Sequence, residues 1–256
     1  MRLAVTTVLA PGPLGRERAL GASARHGLPF AERRGRSLPE VARESGVEAL
    51  LVVGGESALF LDGRCHRFHA GMGALRAKRL SRGEETTRDS FLEAAGIRPG
   101  DSILDCTLGL GADALVAAAA AGPAGRVVGL EASPALAAWV AEGLRLLGDP
   151  AAGRVEVRAA EHGAFLEACP ERSFDLVVFD PMFRHAQEQA AAFELVRRLA
   201  DPRPLSPAAL ARAVRVARRA VLVKDGVPGW DLARLGLTPL PAPRAARRLY
   251  ARVAAG

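Results

Sequence analysis

The sequence predicts an α/β protein: a mostly parallel sheet with helices on both faces, preceded by a smaller α/β unit. Three observations carry this. From Asp101 onward, short apolar runs alternate with helical stretches, and strands that alternate with helices require crossovers, which favour a parallel sheet. A glycine-rich loop at 105–111 joins the first of those runs to a helix. The 256 residues are 49% hydrophobic and 25% charged. A chain of that length and composition buries a sizeable core, which excludes global disorder and a small disulfide scaffold.

In chain order, residues 2–9 carry β-branched side chains and stop at Pro11-Gly12, as a strand does. Residues 14–26 read as a helix. Ser37 stands three residues before Glu40, the N-cap pattern of a helix ending at Gly46. Residues 49–53 and 57–61 flank Gly54-Gly55-Glu56 as a hairpin. Residues 63–73 read as a loop, and 74–80 and 84–95 as helices, the second closed by Gly96. These observations place a small unit at 1–83 and the larger one at 84–256. In the latter, strands are expected at 102–104, 126–130, 154–158, 174–179 and 220–223. Helices are expected at 112–121, 133–147, 161–168, 188–199 and 208–217. Residues 237–240 and 247–253 read as a terminal strand pair.

The formal charge is +7, and of 35 basic residues only Lys78 and Lys224 are lysine. That bias towards arginine fits a GC-rich genome as well as an acidic partner. Its distribution says more. Residues 1–104 hold 16 basic and 12 acidic residues, 105–200 hold 8 and 13, and 201–256 hold 11 and 3. An acidic middle lies between two basic ends. Cys65, Cys106 and Cys169 form no metal-binding spacing, and no metal is expected. Sparse, unpaired cysteines suit a reducing compartment. Without a signal-peptide pattern or an apolar stretch of membrane-spanning length, the expected location is the cytoplasm, with no membrane role.

The segment Asp105-Cys106-Thr107-Leu108-Gly109-Leu110-Gly111-Ala112-Asp113 follows a strand and opens a helix. Gly109 and Gly111 let a ligand approach the backbone, and Glu131 ends the next strand, placed to accept from a ribose diol. The same letters match a dinucleotide fingerprint. Asp105, however, sets an anion where a pyrophosphate would rest. S-adenosylmethionine has no phosphate, and its sulfonium and ammonium can pair with Asp105 or Asp113. Thr107 and Ala132 belong to the same two turns. Glu161, after the third strand, either accepts from an adenine amino group or serves as a helix-start carboxylate; His162 follows it.

The fourth strand runs into Asp180-Pro181-Met182-Phe183, at the carboxyl end of the sheet where open α/β folds bind ligands. This resembles the Asp/Asn-Pro-Pro-Tyr/Phe turn of amino-group methyltransferases. An exocyclic amine is a poor nucleophile, because its lone pair is delocalised into the ring. Asp180 and the Pro181 carbonyl can accept its two N–H groups and orient the nitrogen, and Phe183 can stack on the base.

With both motifs in order, residues 100–253 resemble class I S-adenosylmethionine-dependent methyltransferases. The narrower likeness is to the RsmJ-type family of small-subunit rRNA guanine-N2 methyltransferases. It is carried by Asp105–Asp113, Asp180-Pro181-Met182-Phe183, Val221-Leu222-Val223-Lys224 and Arg248-Leu249-Tyr250. The resemblance implies a Rossmann-like sheet, mostly parallel with the last strand antiparallel, behind a small N-terminal subdomain. It also implies cofactor contacts at Ala112, Asp113, Glu131, Ala132, Glu161, His162 and Asp180. The chain departs from the pattern at Arg184-His185, where the family tends to have proline, and at Glu161-His162, where it tends to have serine. Residues 68–80 look like a branch usually described as methyltransferases without further assignment.

The basic ends are the expected RNA surface, with Arg76, Lys78 and Arg79 on one side and a C-terminal arginine set on the other. Lys224 either reaches the substrate or caps a neighbouring carboxylate. The expected reaction is methylation of RNA, at a guanine amine of the small ribosomal subunit. A small-molecule or protein methyltransferase and a nicotinamide-binding protein are the alternatives.

Overall fold

In the computed structural model, which describes residues 1–84, 89–181 and 191–256, the chain builds two sheets. The first contains β1 (Leu3–Thr7), followed by α1 (Gly12–His26) and α2 (Leu38–Glu44), then β2 (Ala49–Val53), β3 (Ser57–Leu61) and β4 (Arg64–Arg67). Its order is β1-β2-β3-β4. β1 runs parallel to β2, and β2–β3–β4 is an antiparallel meander. The capping box forms as the sequence predicts: Ser37 and Glu40 satisfy each other's backbone N–H groups at the start of α2.

Next come α3 (Gly71–Ser81) and α4 (Ser90–Ala95). The second sheet then alternates strictly: β5 (Ser102–Asp105), α5 (Ala112–Ala121), β6 (Arg126–Glu131), α6 (Pro134–Leu146), β7 (Val155–Ala159), α7 (His162–Ala168) and β8 (Phe174–Phe179). The chain ends with α8 (Ala191–Leu199), α9 (Pro207–Val216), β9 (Ala217–Gly226), α10 (Trp230–Arg234) and β10 (Arg248–Ala254). The order is β10-β9-β8-β5-β6-β7, with every pairing parallel except β9–β10. The chain winds from β5 out to β7 and then returns to lay β8 on the other side of β5. That reversal opens a crevice at the carboxyl ends of β5 and β8.

Some expectations are corrected. Residues 63–73 are not all loop, since β4 and the start of α3 lie there. The strand Arg64-Cys65-His66-Arg67 has no apolar alternation because it is an exposed edge, and pairing with β3 creates it. Residues 237–240 form no strand, because Pro239 and Pro241 lack ladder donors. The Leu240 N–H does donate to the Tyr250 carbonyl at 2.7 Å, but β10 takes β9 as its partner. The helix expected over 84–95 begins at Ser90, capped by Asp89. Residues 85–88 and 188–190 lie outside the described residues.

One core joins the two sheets through α6. Trp139, fully buried, meets the Phe68 ring edge-on at 5.8 Å, and its carbonyl accepts from Ser57 Oγ. Phe68 lies where a Cβ on Gly143 would stand, 2.1 Å from its position. α3 packs on α5 just as closely: a Cβ on Gly73 would come 2.6 Å from Ala112 Cα. α3, expected with the N-terminal unit, therefore lies against the helix that follows the glycine loop.

Candidate active site

The loop after β5 is pinned from both sides. Cys106 N–H donates to the Val178 carbonyl of β8, and Leu108 N–H to the Leu130 carbonyl of β6, each at 2.9 Å. Gly109 and Gly111 adopt φ of +52° and +74°, the left-handed region where a side chain is strained. Thr107 ties the central strands together: its N–H donates to Asp105 Oδ1 at 3.0 Å, and its Oγ1 accepts from the Asp180 N–H at 2.6 Å.

Over this edge lies a cavity of about 790 Å³. Asp105, Thr107, Gly109, Ala112, Asp113, Glu131, Ala132, His162, Asp180, Pro181, Arg76, Arg79 and Lys224 all line it. Residues far apart in the sequence are thus brought to one place. Gly111, Glu161 and Lys78 do not line it. Gly111 lies behind the loop against Val140 and Leu144. Glu161 caps α7, its carboxylate accepting from Gly163 N–H and Ala164 N–H at 3.0 and 2.9 Å, which is its helix-start reading. Lys78 is exposed on α3. Phe183 lies outside the described residues.

A chain of ion pairs crosses the cavity. Lys224 Nζ donates to Asp180 Oδ2 at 2.5 Å and to Asp113 Oδ2 at 2.7 Å. Lys224 therefore caps two carboxylates while facing the cavity. Asp113 Oδ1 also accepts from Arg76 Nη1 at 2.9 Å, and Arg76 grips Asp89 with two further bonds. Arg76, expected to face a phosphate, is turned inward. Burial opposes the charge on Asp113, but Lys224 and Arg76 outweigh it and hold its pKa below the ordinary value. Burial likewise opposes the charge on Lys224, and Asp180 and Asp113 outweigh it, raising its pKa. Asp180 is pushed up by burial against the pull of Lys224.

Among the described residues, Asp105 and Glu131 are carboxylates without such partners. Burial first, then the charges of Asp113 and Asp180, push Asp105 up to about 7. Burial pushes Glu131 up to about 6, although the N–H groups of Ser133, Gly109 and Ala132 hold it back. His162 is held below its ordinary value by burial and meets Phe179 edge-on at 5.6 Å.

Sequence reasoning misses Asp89, the second partner of Arg76. Its signal is its place as an N-cap before Ser90-Phe91, which starting that helix at residue 84 hides. Asp201 and Arg203, which also line the cavity, stand in no motif. Among the described residues no group of three or more His, Cys, Asp and Glu could hold a metal ion, and no helix is long and apolar enough to cross a membrane.

A family model for SAM-dependent methyltransferases matches residues 67–232. The chain is 34% identical over 206 residues to uncharacterized protein YpiP of Bacillus subtilis (strain 168), covering 77% of this chain and 79% of that one. It is 32% identical over 167 residues to ribosomal RNA small subunit methyltransferase J of Alkalilimnicola ehrlichii, covering 57% of this chain and 62% of the relative. A crystal structure of a SAM dependent methyltransferase from Aquifex aeolicus is similar with a TM-score of 0.47 at 16% identity, over 74% of this chain and 100% of that one.

Proposed function

The chain belongs to the S-adenosylmethionine-dependent methyltransferase family, and from that premise we propose that it methylates RNA, at the exocyclic N2 of a guanine in small-subunit rRNA. S-adenosylmethionine is its cofactor, and it supplies an electrophilic methyl group on a sulfonium. The donor set at the cavity fits that molecule. Glu131, 5% exposed at the end of β6, is placed to accept from the ribose hydroxyls. Asp105, which carries no ion pair among the described residues, offers negative charge to the cationic end of the cofactor and would disfavour a pyrophosphate, whereas Asp113 is neutralised by Lys224 and Arg76. Gly109 leaves the loop backbone open: a Cβ at that position would meet nothing nearer than the Thr107 carbonyl oxygen, at 4.0 Å.

The observation that carries the proposed reaction is Asp180 at the end of β8, facing the cavity and held by Lys224 and Thr107. The ion pair with Lys224 favours the charged form and aims the carboxylate. The carboxylate accepts one N–H of the amine, and the Pro181 carbonyl accepts the other. Positive charge that grows on the nitrogen during attack is stabilised by the same carboxylate. Phe183 is assigned the stacking role beneath the base. RNA as the substrate is supported by the likeness to methyltransferase J, whose name states that it acts on ribosomal RNA, and by exposed arginines in the C-terminal region. In this reading Arg79 at the cavity and Lys78 beside it contact the RNA backbone, and Arg76 and Lys224 act from behind by holding the carboxylates.

The test is methyl transfer from labelled cofactor to small-subunit rRNA isolated from a strain lacking the gene, read by nucleoside mass spectrometry. The expected product is N2-methylguanosine. Asp180→Ala is expected to bind the cofactor and to lower kcat by about 10²–10³-fold, the loss typical of one charge-stabilising group. Full turnover by that variant would overturn the mechanism, and transfer to a protein or small molecule in place of RNA would overturn the substrate.

A further inference from the structure

At the sheet edge that carries the cavity stands an exposed tryptophan. Trp230 is 68% exposed, whereas a side chain of this size is usually largely covered. The chain's other tryptophan, Trp139, is fully buried. Trp230 opens α10 on a rigid base. The Asp225 carboxylate, 5% exposed, accepts from the N–H groups of Gly226, Asp231 and Leu232 at 2.7, 2.8 and 3.1 Å. Gly229 N–H donates to the Gly226 carbonyl at 2.7 Å, and Leu232 is buried in the same core cluster as Leu205. The exposed indole therefore rises from a turn whose backbone is hydrogen-bonded throughout.

That turn adjoins the cavity. β8 and β9 are parallel with Phe179 opposite Val223, so Lys224 is level with Asp180 and Gly226 lies two residues beyond. On strand geometry that is about 7 Å farther along and about 5 Å to the side. Gly226 pairs with Arg248, a residue of the cavity wall. On the other flank, Arg234 of α10 donates to the carbonyl of Leu205, also in the wall, at 2.7 Å. The charge nearby is positive. Asp231 is the sole acidic residue of 226–256 and pairs with Arg234, while Arg244 and Arg247 are exposed on the approach to β10. Val227, 57% exposed, precedes the tryptophan, and its N–H donates to the Arg247 carbonyl.

Building on the reading of the substrate as RNA, we propose that Trp230 is a stacking platform for an unpaired base adjoining the methylated nucleotide, with its phosphates beside Arg244 and Arg247. A base that enters a cavity leaves its stack, and its neighbour loses a partner. An exposed indole on a hydrogen-bonded turn, in an arginine-rich stretch, replaces that partner for any base, which is the chemistry of single-strand binding.

The experiment uses the full chain and a 12-nucleotide single-stranded oligoribonucleotide containing guanine, with inorganic polyphosphate as a charge-only control. The oligoribonucleotide is expected to quench Trp230 emission, and polyphosphate to leave it unchanged. Trp230→Ala should weaken oligoribonucleotide binding by about five- to a hundredfold, the range for loss of one base–aromatic stack. Trp230→Phe should restore most of the affinity. Cofactor affinity should stay at the wild-type value in both variants, which shows that they are folded. The slope of affinity against salt should also be unchanged, since no phosphate contact is removed. If the wild type binds and methylates RNA but Trp230→Ala binds it equally well, the platform is overturned and the RNA reading stands. If the wild type binds no RNA, both fall. If the variant changes self-association and leaves RNA affinity unaltered, the indole serves a protein contact and the proposal is wrong.

Discussion

Asp105 and Glu142 are both buried carboxylates, and the protein surrounds them in opposite ways. Glu142, 1% exposed on α6, receives Arg25, His26 and Arg145 at 2.8–3.0 Å. Burial alone would raise its pKa, but these partners outweigh it and bring it down to about 2. Asp105, 6% exposed at the end of β5, accepts a backbone N–H from Thr107, and among the described residues no cation pairs with it. Its pKa rises to about 7. Glu142 is a stitch: two of its partners come from α1, so it fastens the first sheet's helix to the helix between the sheets. Asp105 is left uncompensated at the cavity, where an unneutralised anion costs stability and is of use to a cationic ligand.

The largest expected effect is therefore on the stitch. Glu142→Gln should lose on the order of 3 kcal/mol of folding stability at pH 7, because its carboxyl is held down at about 2 instead of the ordinary 4.5. Its sign with pH is fixed. A lowered carboxylate pKa contributes stability in full above the ordinary value near 4.5, and that contribution is lost as pH falls towards 2. Urea unfolding of wild type and variant should thus differ most at neutral pH and converge below about pH 3. Methyl transfer by the folded variant should be unchanged. Equal unfolding midpoints at neutral pH would mean that Arg25, His26 and Arg145 do no more than cover the carboxylate.

Asp105→Asn should move stability the other way. Removing an uncompensated buried charge is expected to raise stability at pH 8 by about 1–2 kcal/mol. It should weaken cofactor binding by about thirtyfold, the equivalent of one charge-assisted hydrogen bond. Calorimetry with S-adenosylmethionine and thermal unfolding check the two halves. A variant that is less stable and binds cofactor equally well would make Asp105 a structural residue like Glu142.

The sequence makes the one region legible and hides the other. Asp105, Gly109, Asp113, Glu131 and Asp180 stand at strand ends or in the turns and first helical turn that follow them, so their convergence follows from the alternation of strands and helices alone. The Glu142 cluster joins residues 117 apart in sequence, across two sheets whose relative placement no local pattern encodes. Arg76 misleads for the same reason. On a helix it looks like a surface cation, and only the packing of α3 on α5 turns it towards Asp113. β4 stays hidden because an edge strand shows no apolar period, and 237–240 reads as a strand only while its apolar run is weighed above its prolines. For Lys224 the sequence leaves two roles open, and the geometry shows it capping Asp113 and Asp180 from within the cavity wall.

The smallest effect concerns protons. With Asp105 near 7 in the free protein, about nine-tenths of it is protonated at pH 6 and about one-tenth at pH 8. A cationic ligand favours the charged form, so binding should release a proton below pH 7. Affinity for S-adenosylmethionine should then rise by up to about tenfold from pH 6 to pH 8 and level off above. For folding of the free protein the same shift has the opposite consequence. A raised carboxylate pKa contributes stability in full below its ordinary value near 3.8, and that contribution is lost as pH rises through 7. Calorimetry near pH 6.5 in two buffers of different ionisation enthalpy measures the released proton directly. Asp105→Asn is the control, because Asp180, also raised by burial, is present in both proteins. A flat variant beside a sloping wild type assigns the proton to Asp105. Equal slopes would assign it to the Asp180–Lys224 pair, and the contrast with Glu142 would then belong to Asp180.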